Sequence, residues 1–261
     1  MNINILRFIT KSIIVIVMKT FRIAYVVPGI GLKEDELARR REIANKIVMG
    51  RASVDIIPAA RGPYSIENRV EEAYASSSYL PLIHSLTVSY DAFVVGCFGD
   101  PGLRAARELT SKPVVGPAEA SLYAASQLGD YIAIVAPLRS TVKLIRDVIK
   151  TYGFEDRVVA IESVDIPVLE ISRGKKEAIE AIAEKINTMA DKSDAEVIVL
   201  GCMSMGFALV DDLVRDKVHL PVINPVKISL KTAEMFIYAG LSHSKKTYPQ
   251  ANLDKIKHLL A

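Results

Sequence analysis

The chain contains two cysteines, and each follows a glycine at the end of an apolar run that predicts a buried strand. Cys97 lies in Val-Val-Gly-Cys-Phe-Gly-Asp-Pro-Gly (94–102), and Cys202 lies in Val-Leu-Gly-Cys-Met-Ser-Met-Gly (199–206). A helical pattern follows each one, predicted at 101–110 and 207–216. Because α/β proteins build their sites where strands give way to helices, we expect a site that contains both thiols.

The sequence around the cysteines is repeated. Each cysteine is followed by a helical pattern and then by a short strand pattern between prolines, at 113–117 and at 221–225. Upstream, Ile-Ala-Tyr-Val-Val-Pro (23–28) matches Ile-Ala-Ile-Val-Ala-Pro (132–137). Strand patterns that alternate with long helical patterns indicate βαβ units and parallel sheets. The predicted fold class is α/β, with two similar doubly wound lobes and the site in the cleft between them.

Two cysteines in this arrangement suit proton transfer. A thiol beside a helix N-terminus favours its thiolate, and Asp100 is expected to cap the helix after Cys97. A thiolate and a thiol on opposite sides of one carbon can remove a proton from one face and return a proton to the other. This inverts a stereocentre next to a carbonyl without a cofactor, and backbone N–H groups of the glycine-rich loops could hold the enolate oxygen.

Two other interpretations of the cysteines stay open at this point. A buried cysteine is often a small apolar residue, although matching places in both halves make that interpretation weaker for the pair. A disulfide between Cys97 and Cys202 is the other alternative, which an intracellular chain disfavours.

Composition narrows the partners. The 261 residues carry a net charge of +3 and contain no block of Lys and Arg, which argues against nucleic acid. The apolar run at 13–17 is too short to span a membrane. Two cysteines make no disulfide framework, so we expect a cytoplasmic protein. The four histidines show no ligand spacing, and no dinucleotide or phosphate loop occurs, so neither metal nor cofactor is expected.

Several motifs resemble those of one family. Gly-Cys-Phe-Gly-Asp-Pro-Gly-Leu (96–103) and Arg-Gly-Pro-Tyr-Ser-Ile-Glu (61–67) resemble motifs of the hydantoin racemases, within the aspartate/glutamate racemase superfamily. Leu-Gly-Cys-Met-Ser-Met (200–205) is similar to the family's second cysteine motif, and 240–245 is similar to its C-terminal tail. The resemblance implies flavodoxin-like lobes, a homo-oligomer, and cofactor-independent racemisation of a 5-substituted hydantoin, allantoin being one candidate ring.

The resemblance also implies roles and boundaries. Cys97 and Cys202 would be the acid/base pair. The C-terminal helix would return to the first lobe, which gives lobes at 18–126 plus 227–261 and at 127–226. Residues 1–17 are interpreted as an N-terminal extension, with Met18 as the more plausible start, rather than as a targeting segment.

The predicted substrate-binding residues lie at the strand ends and in the adjoining loops: Pro28, Ser65, Gly96, Phe98, Gly99, Ser140, Thr141, Gly201 and Met203. Gly96 and Gly201 are expected to let a ligand approach the backbone. For Ser140 and Thr141 a plain helix cap is an equal alternative, and for Phe98 an ordinary core position.

Two alternative functions remain. In amino-acid racemases of the superfamily, Asn-Thr follows the first cysteine, whereas Phe98 and Gly99 follow it here, which points away from free aspartate or glutamate. An aspartate/glutamate-type racemase is nevertheless the second hypothesis. The third is a small-ligand-binding protein that keeps the two-lobed cleft without chemistry.

Overall fold

The computed structural model describes residues 20–171, 175–256 and 258. The predicted extension at 1–17 lies outside these residues. The described chain forms two four-stranded sheets in which every strand pair is parallel. The predicted α/β class with two similar parallel-sheet lobes is therefore confirmed.

The first sheet has the strand order β2-β1-β3-β4. Its β1 is buried from Ile23 to Val27 and lies between β2 and β3, as a continuous apolar run predicts for a strand covered on both faces. The elements of this half are β1 (Phe21–Val27), α1 (Glu34–Val48), β2 (Ala52–Pro58), α2 (Arg69–Leu86), β3 (Ala92–Val95), α3 (Leu103–Leu109), β4 (Val114–Val115) and α4 (Pro117–Ala125).

The second sheet repeats this order as β6-β5-β7-β8. Its central β5 is buried along its whole length and pairs with β6 and β7. The elements of this half are β5 (Ile132–Ala136), α5 (Arg139–Tyr152), β6 (Val158–Ser163), α6 (Val168–Ile171), α7 (Lys176–Lys192), β7 (Val197–Leu200), α8 (Met203–Phe207), α9 (Val210–Leu213) and β8 (Val222–Ile223).

The last helix, α10 (Pro225–Tyr238), leaves the second sheet and packs on the first. Its buried face joins the core of β1, β2 and β3 through Val226, Leu230 and Ala233. Phe207 of α8 lies in this same core, while α4 packs against the second sheet. The two lobes therefore share apolar contacts on both sides of the cleft. The lobe boundaries given above remain a prediction.

Three elements differ from the sequence prediction. The helix expected at 207–216 is replaced by α8 and α9, because Leu209 between them adopts a left-handed backbone with φ 54°. The helix expected at 101–110 begins at Leu103, with Gly102 as its N-cap. A proline inside the helical pattern at 68–89 predicts a break near Pro81, but α2 continues through it.

Candidate active site

The two cysteines occupy equivalent places in the two sheets. Cys97 follows β3 and Cys202 follows β7, each strand being the neighbour of the central strand. The backbone N–H of Gly96 donates to the carbonyl oxygen of Val26 (2.7 Å), and that of Gly201 donates to Val135 (2.8 Å). The same hydrogen bond therefore holds both Gly-Cys pairs against the central strand, as the sequence repeat predicts.

The two glycines are required by the neighbouring strand. A Cβ on Gly96 would lie 2.7 Å from the Val26 oxygen and 2.8 Å from Cε1 of Tyr25. A Cβ on Gly201 would lie 2.9 Å from the Val135 oxygen. The expectation that these glycines open space for a ligand needs correction, because the space is filled by the central strand. Both residues still line the cavity described next.

Both thiols open into one cavity between the lobes, which we call the interlobe cavity. It encloses about 110 Å³, well above what a single water needs and suited to a small ring. Of the predicted residues, its walls include Pro28, Ser65, Gly96, Cys97, Phe98, Gly99, Thr141, Gly201, Cys202 and Met203. Apolar side chains from both lobes complete the walls, among them Leu32, Ile66, Leu144 and Ile145.

Ser140 is the predicted residue that the structure leaves outside the cavity. It is exposed on the first turn of α5, whereas the next residue, Thr141, is buried and lines the cavity. The Thr141 hydroxyl donates to the carbonyl oxygen of Leu138 (2.7 Å), so Thr141 both starts the helix and faces the cleft. Phe98 likewise has both predicted roles, since it lies in a core cluster and in the cavity wall.

A thiol beside a helix N-terminus is expected to ionise readily, but both thiols here are less acidic than a free cysteine. Burial raises the pKa of Cys97 to about 12, although a hydrogen bond from the N–H of Gly99 acts in the opposite direction and lowers it. Burial also raises the pKa of Cys202 above its ordinary value. Desolvation of the thiolate therefore outweighs the effect of the nearby N–H groups on the pKa of each thiol. Both cysteines are free, so the disulfide alternative does not describe this structure.

Arg40 of α1 reaches across the cleft to the Cys202 side. Its guanidinium is buried, lies over the ring of Phe207 (4.8 Å to the centroid), and donates to the hydroxyl oxygen of Ser204 (3.0 Å). The Nε of Arg40 also donates to the carboxylate of Glu36 (2.7 Å). Arg40 and the Ser204 hydroxyl both lower the pKa of the Cys202 thiol. Both residues line the interlobe cavity.

Glu72 of α2 is the acidic counterpart on the Cys97 side. It lines the interlobe cavity, and its Oε1 lies 3.1 Å from where a Cβ on Gly99 would be. Within residues 20–171, 175–256 and 258, its carboxylate makes no hydrogen bond or ion pair at contact distance. Burial raises the pKa of Glu72, and the Glu72 charge in turn raises the pKa of Cys97.

Asp100 does not cap the helix that follows it. Its backbone is left-handed (φ 49°), which directs the carboxylate to α4 instead. There it accepts the N–H groups of Ala118 (3.1 Å) and Glu119 (2.9 Å). Tyr152 of the second lobe donates its hydroxyl to the same carboxylate (2.8 Å). The loop after Cys97 is thus tied to both lobes by one buried side chain.

Arg40, Glu72 and Ser204 were not predicted from the sequence. Arg40 lies in a run of three arginines and Glu72 in an acidic helix start, patterns typical of a solvated helix face. Only the spacing of Ser204, two residues after Cys202, could have pointed to it.

Among the described residues, no three His, Cys, Asp or Glu side chains form a group that could hold a metal ion. None of the described helices is both long enough and apolar enough to cross a membrane.

Comparison with known proteins identifies the family. The model of the Asp/Glu/hydantoin racemase family matches residues 37–233, about three quarters of the chain. The chain belongs to the Asp/Glu/hydantoin racemase family. The racemase is 36% identical to a hydantoin racemase of Pseudomonas sp. (strain NS671), over 72% of this chain and 75% of the relative. It is 31% identical to a hydantoin racemase of Paenarthrobacter aurescens, over 82% of this chain and 91% of the relative.

A solved structure extends this likeness to the fold. The racemase superposes on an allantoin racemase from Klebsiella pneumoniae with a TM-score of 0.83 and 29% identity, covering 92% of this chain and 99% of that one. The family and the enzyme class predicted from the sequence, an isomerase of the racemase type, are therefore confirmed. The cysteine pair of this racemase lies within the matched part of the chain.

Proposed function

We propose that this chain inverts the carbon next to a carbonyl of a 5-substituted hydantoin, allantoin being one such ring, with Cys97 and Cys202 as the acid/base pair and no cofactor. The observation that carries the proposal is the placement of both thiols, at equivalent strand ends, in one small cavity. The hydantoin and allantoin racemases to which the chain is similar support the choice of ring.

The proposed reaction moves one proton at a time. A thiolate removes the hydrogen of the ring carbon, and the electron pair passes to the neighbouring carbonyl oxygen to form an enolate. The opposite thiol then donates its proton to the other face of that carbon, and becomes the thiolate. The N–H of Gly99 bonds to the Cys97 thiol and therefore stabilises the negative charge that this thiol carries when it has lost its proton. Other backbone N–H groups of the loops after the two cysteines are the donors proposed for the enolate oxygen. The apolar walls exclude water that would compete for these donors.

The cavity favours a ring over a dicarboxylate. Aspartate or glutamate would need fixed donors for two carboxylates, whereas Arg40, the one guanidinium that the described residues place in the cavity wall, already donates to Glu36 and Ser204. The Glu72 carboxylate would repel a second negative charge. The amino-acid racemase alternative thus has less support than the hydantoin racemase.

The first test is an assay with single enantiomers. Enantiopure 5-substituted hydantoins, allantoin, aspartate and glutamate are incubated with the purified chain and a chelator, and circular dichroism follows the loss of optical activity. We expect loss with a hydantoin and none with the amino acids. Inversion of aspartate or glutamate alone would favour the second hypothesis. Thermal stabilisation by a hydantoin without inversion would favour a non-catalytic binding protein.

The second test separates the two thiols. Cys97→Ser and Cys202→Ser each replace a thiol with a hydroxyl that ionises far less readily, so full racemisation should collapse in both. Each variant keeps one base, and NMR in D2O should show that it exchanges the ring hydrogen of one enantiomer without inverting it. The two variants should prefer opposite enantiomers. Near-normal racemisation by either variant would contradict the two-thiol mechanism.

We also propose that the chain assembles as a homo-oligomer in the cytoplasm. The family resemblance supports the assembly, and the two free cysteines support a reducing compartment. Light scattering coupled to size exclusion would give the mass of the assembly, and a monomer at all concentrations would contradict the first part. Cell fractionation tests the second.

A further inference from the structure

The two thiols face surroundings of opposite charge. Arg40 donates to Ser204, two residues after Cys202, and its guanidinium lies over Phe207 of the same short helix. Glu36 neutralises only part of this cation, since the same carboxylate also binds Arg39 through both oxygens. The Glu36 carboxylate is thus shared between two guanidinium groups, and Arg40 keeps part of its positive charge beside Cys202.

The Cys97 side carries the opposite sign. Glu72 lies beside Gly99, and a Cβ on Gly99 would lie 3.1 Å from Oε1 of Glu72 and 3.8 Å from Sγ of Cys97. Asp100 follows in the same loop and is buried. The charged groups that act on Cys97 are anionic, namely Glu72, Asp100 and the Cys202 thiolate, and each of them raises its pKa. Arg69, the cation that acts on Glu72, is exposed and paired with Asp147, whose charge acts on Glu72 in the opposite sense.

One further group faces both thiols. The hydroxyl of Tyr25, on the central strand, is buried and has no hydrogen-bond partner among the described residues. Burial raises the pKa of Tyr25 well above its ordinary value, so this hydroxyl stays protonated and neutral. Since Tyr25 interacts with Cys97 and with Cys202 alike, it does not distinguish them.

We propose that the single thiolate of the active pair resides on Cys202, held there by Arg40 and Ser204, while Glu72 keeps Cys97 protonated. This inference rests on the proposed function, because it names which member of the acid/base pair is the base in the free enzyme. A racemase alternates between two forms that differ only in which thiol holds the proton. Fixed charges of opposite sign at the two thiols make one of these forms predominate.

Steady-state rates do not report this asymmetry. Two enantiomers have the same free energy in water, so kcat/KM must be equal in the two directions whichever thiol ionises first. The protonation state must therefore be measured at the thiols themselves, in the absence of substrate. The two titrations are coupled, so each midpoint belongs to the pair, and their order is the quantity that matters.

The test is alkylation followed residue by residue. The whole chain is treated briefly with iodoacetamide over a series of pH values, and mass spectrometry of the peptides gives the initial rate at each cysteine. Iodoacetamide is neutral, so Arg40 and Glu72 do not attract or repel it. Because the two cysteines differ in exposure, the midpoint of each rate against pH is compared, not the rate itself. We expect the lower midpoint at Cys202.

Removing the charge of Arg40 or of Glu72 should shift mainly the midpoint of the cysteine on the same side of the cavity. Arg40→Met keeps the apolar contact with Phe207 and should raise the Cys202 midpoint by about one pH unit, with a smaller change at Cys97. Arg40→Lys, which keeps the charge, should restore most of the difference. Glu72→Gln should lower the Cys97 midpoint. The matched controls are Arg41→Met and Glu71→Gln, one position away on the same helices and outside the cavity wall.

The outcomes are distinct from those of the assay for racemisation. A lower midpoint at Cys97 in the wild-type chain would overturn the inference, even if hydantoins are racemised. Unchanged midpoints in Arg40→Met and Glu72→Gln would overturn it as well. If Arg40→Met does not fold, as judged by circular dichroism, the wild-type order and Glu72→Gln still decide the question.

Discussion

The residues around each thiol are held by backbone contacts that leave little freedom for substitution. Gly96 and Gly201 sit against the carbonyl oxygens of the central strands, and Gly99 sits between Glu72 and Cys97. These glycines differ in what a methyl group would meet. Substitution of Gly96 should therefore affect mainly stability, and substitution of Gly99 should affect mainly the cavity.

Gly96→Ala should therefore lose stability, whereas Gly99→Ala should lose activity. At Gly96 the methyl meets backbone, which has to move, so we expect a loss of about 2 kcal/mol in the free energy of unfolding. At Gly99 it meets the end of the Glu72 side chain, so stability should change by no more than about 0.5 kcal/mol. That methyl occupies the cavity beside Cys97, and kcat/KM should fall by about tenfold. Urea unfolding and the racemisation assay measure the two effects, and equal destabilisation in both variants would contradict this distinction.

The rate should rise as the solution becomes alkaline. The proposed mechanism needs one thiolate, and burial raises the pKa of both thiols, that of Cys97 to about 12. Near neutral pH only a small fraction of the chain holds a thiolate, and this fraction grows up to tenfold per pH unit below the first pKa. We expect kcat/KM to increase from neutral pH to about pH 9. The assay needs an enzyme-free blank, because base alone racemises an acidic ring carbon; a flat or falling profile would contradict the expectation.

The sequence predicted the cysteines because their type is rare and their position is repeated. Cys97 and Cys202 are the two thiols of the chain, and each follows Gly after an apolar strand. Arg40 and Glu72 could not be found in this way. Both lie on helices that carry many exposed charged residues, and the burial of these two depends on how α1 and α2 are placed against the opposite lobe. No local pattern contains that information.

Among the elements, α10 and α2 both begin with an asparagine cap, and the two caps differ in burial. Asn224 begins α10 and accepts the N–H groups of Val226 (2.9 Å) and Lys227 (3.3 Å). Its amide also donates to the carbonyl oxygen of Gly206 in α8 (3.0 Å) and to Asp211 (2.7 Å). A single buried side chain thus fixes the start of α10 and the end of α8.

Replacing this cap should cost more than replacing an exposed one. Asn224→Ala removes the cap and leaves buried partners without hydrogen bonds, so we expect a loss of about 2 to 3 kcal/mol. Asn68 caps α2 in the same manner, accepting from Val70 and Glu71, but it is exposed. Asn68→Ala should lose about 1 kcal/mol. Urea unfolding of the two variants measures the difference, and an equal loss would show that the bonds to Gly206 and Asp211 add nothing.

Most elements followed from periodicity, and the exceptions have local causes. The helical spacing of Ile179, Ile182, Ile186 and Met189 predicts a helix over 175–192, and α7 begins one residue later with these side chains on its buried face. After Cys202, the sequence predicted a single helix at 207–216. There the left-handed Leu209 divides two short helices, and a non-glycine residue in that conformation gives no sequence signal.

At the scale of the whole molecule, the two sheets are similar but their connections are not. The chain passes from the first sheet to the second between α4 and β5, and it returns to the first through α10. The repeat in the sequence predicted the two lobes. The contacts between them, such as Tyr152 with Asp100 and Arg39 with the carbonyl oxygen of Phe207 (3.0 Å), come from residues far apart in the chain, so the repeat could not predict them.

The buried Asp100, whose carboxylate links the two lobes, should make the stability of the molecule depend on pH. Burial raises the pKa of Asp100 from 3.8 to about 7, while Tyr152 and two N–H groups favour the carboxylate. Between these two values the folded chain holds a proton that the unfolded chain has lost. The resulting stabilisation is present below about pH 4 and is lost as the pH rises through about 7, at up to 1.4 kcal/mol per pH unit.

Asp100→Asn removes this titration and serves to isolate it. The variant should be less stable than the wild type at every pH, because its amide turns a donor toward the N–H of Glu119 or Ala118. The gap between the two chains should be widest near pH 4 to 5 and should narrow toward pH 8, since only the wild type loses the contribution of Asp100. Urea unfolding at a series of pH values measures the gap. Tyr131→Phe, an exposed tyrosine, is the control and should keep the wild-type dependence; a gap that stays constant or widens with pH would show that Asp100 is ionised throughout.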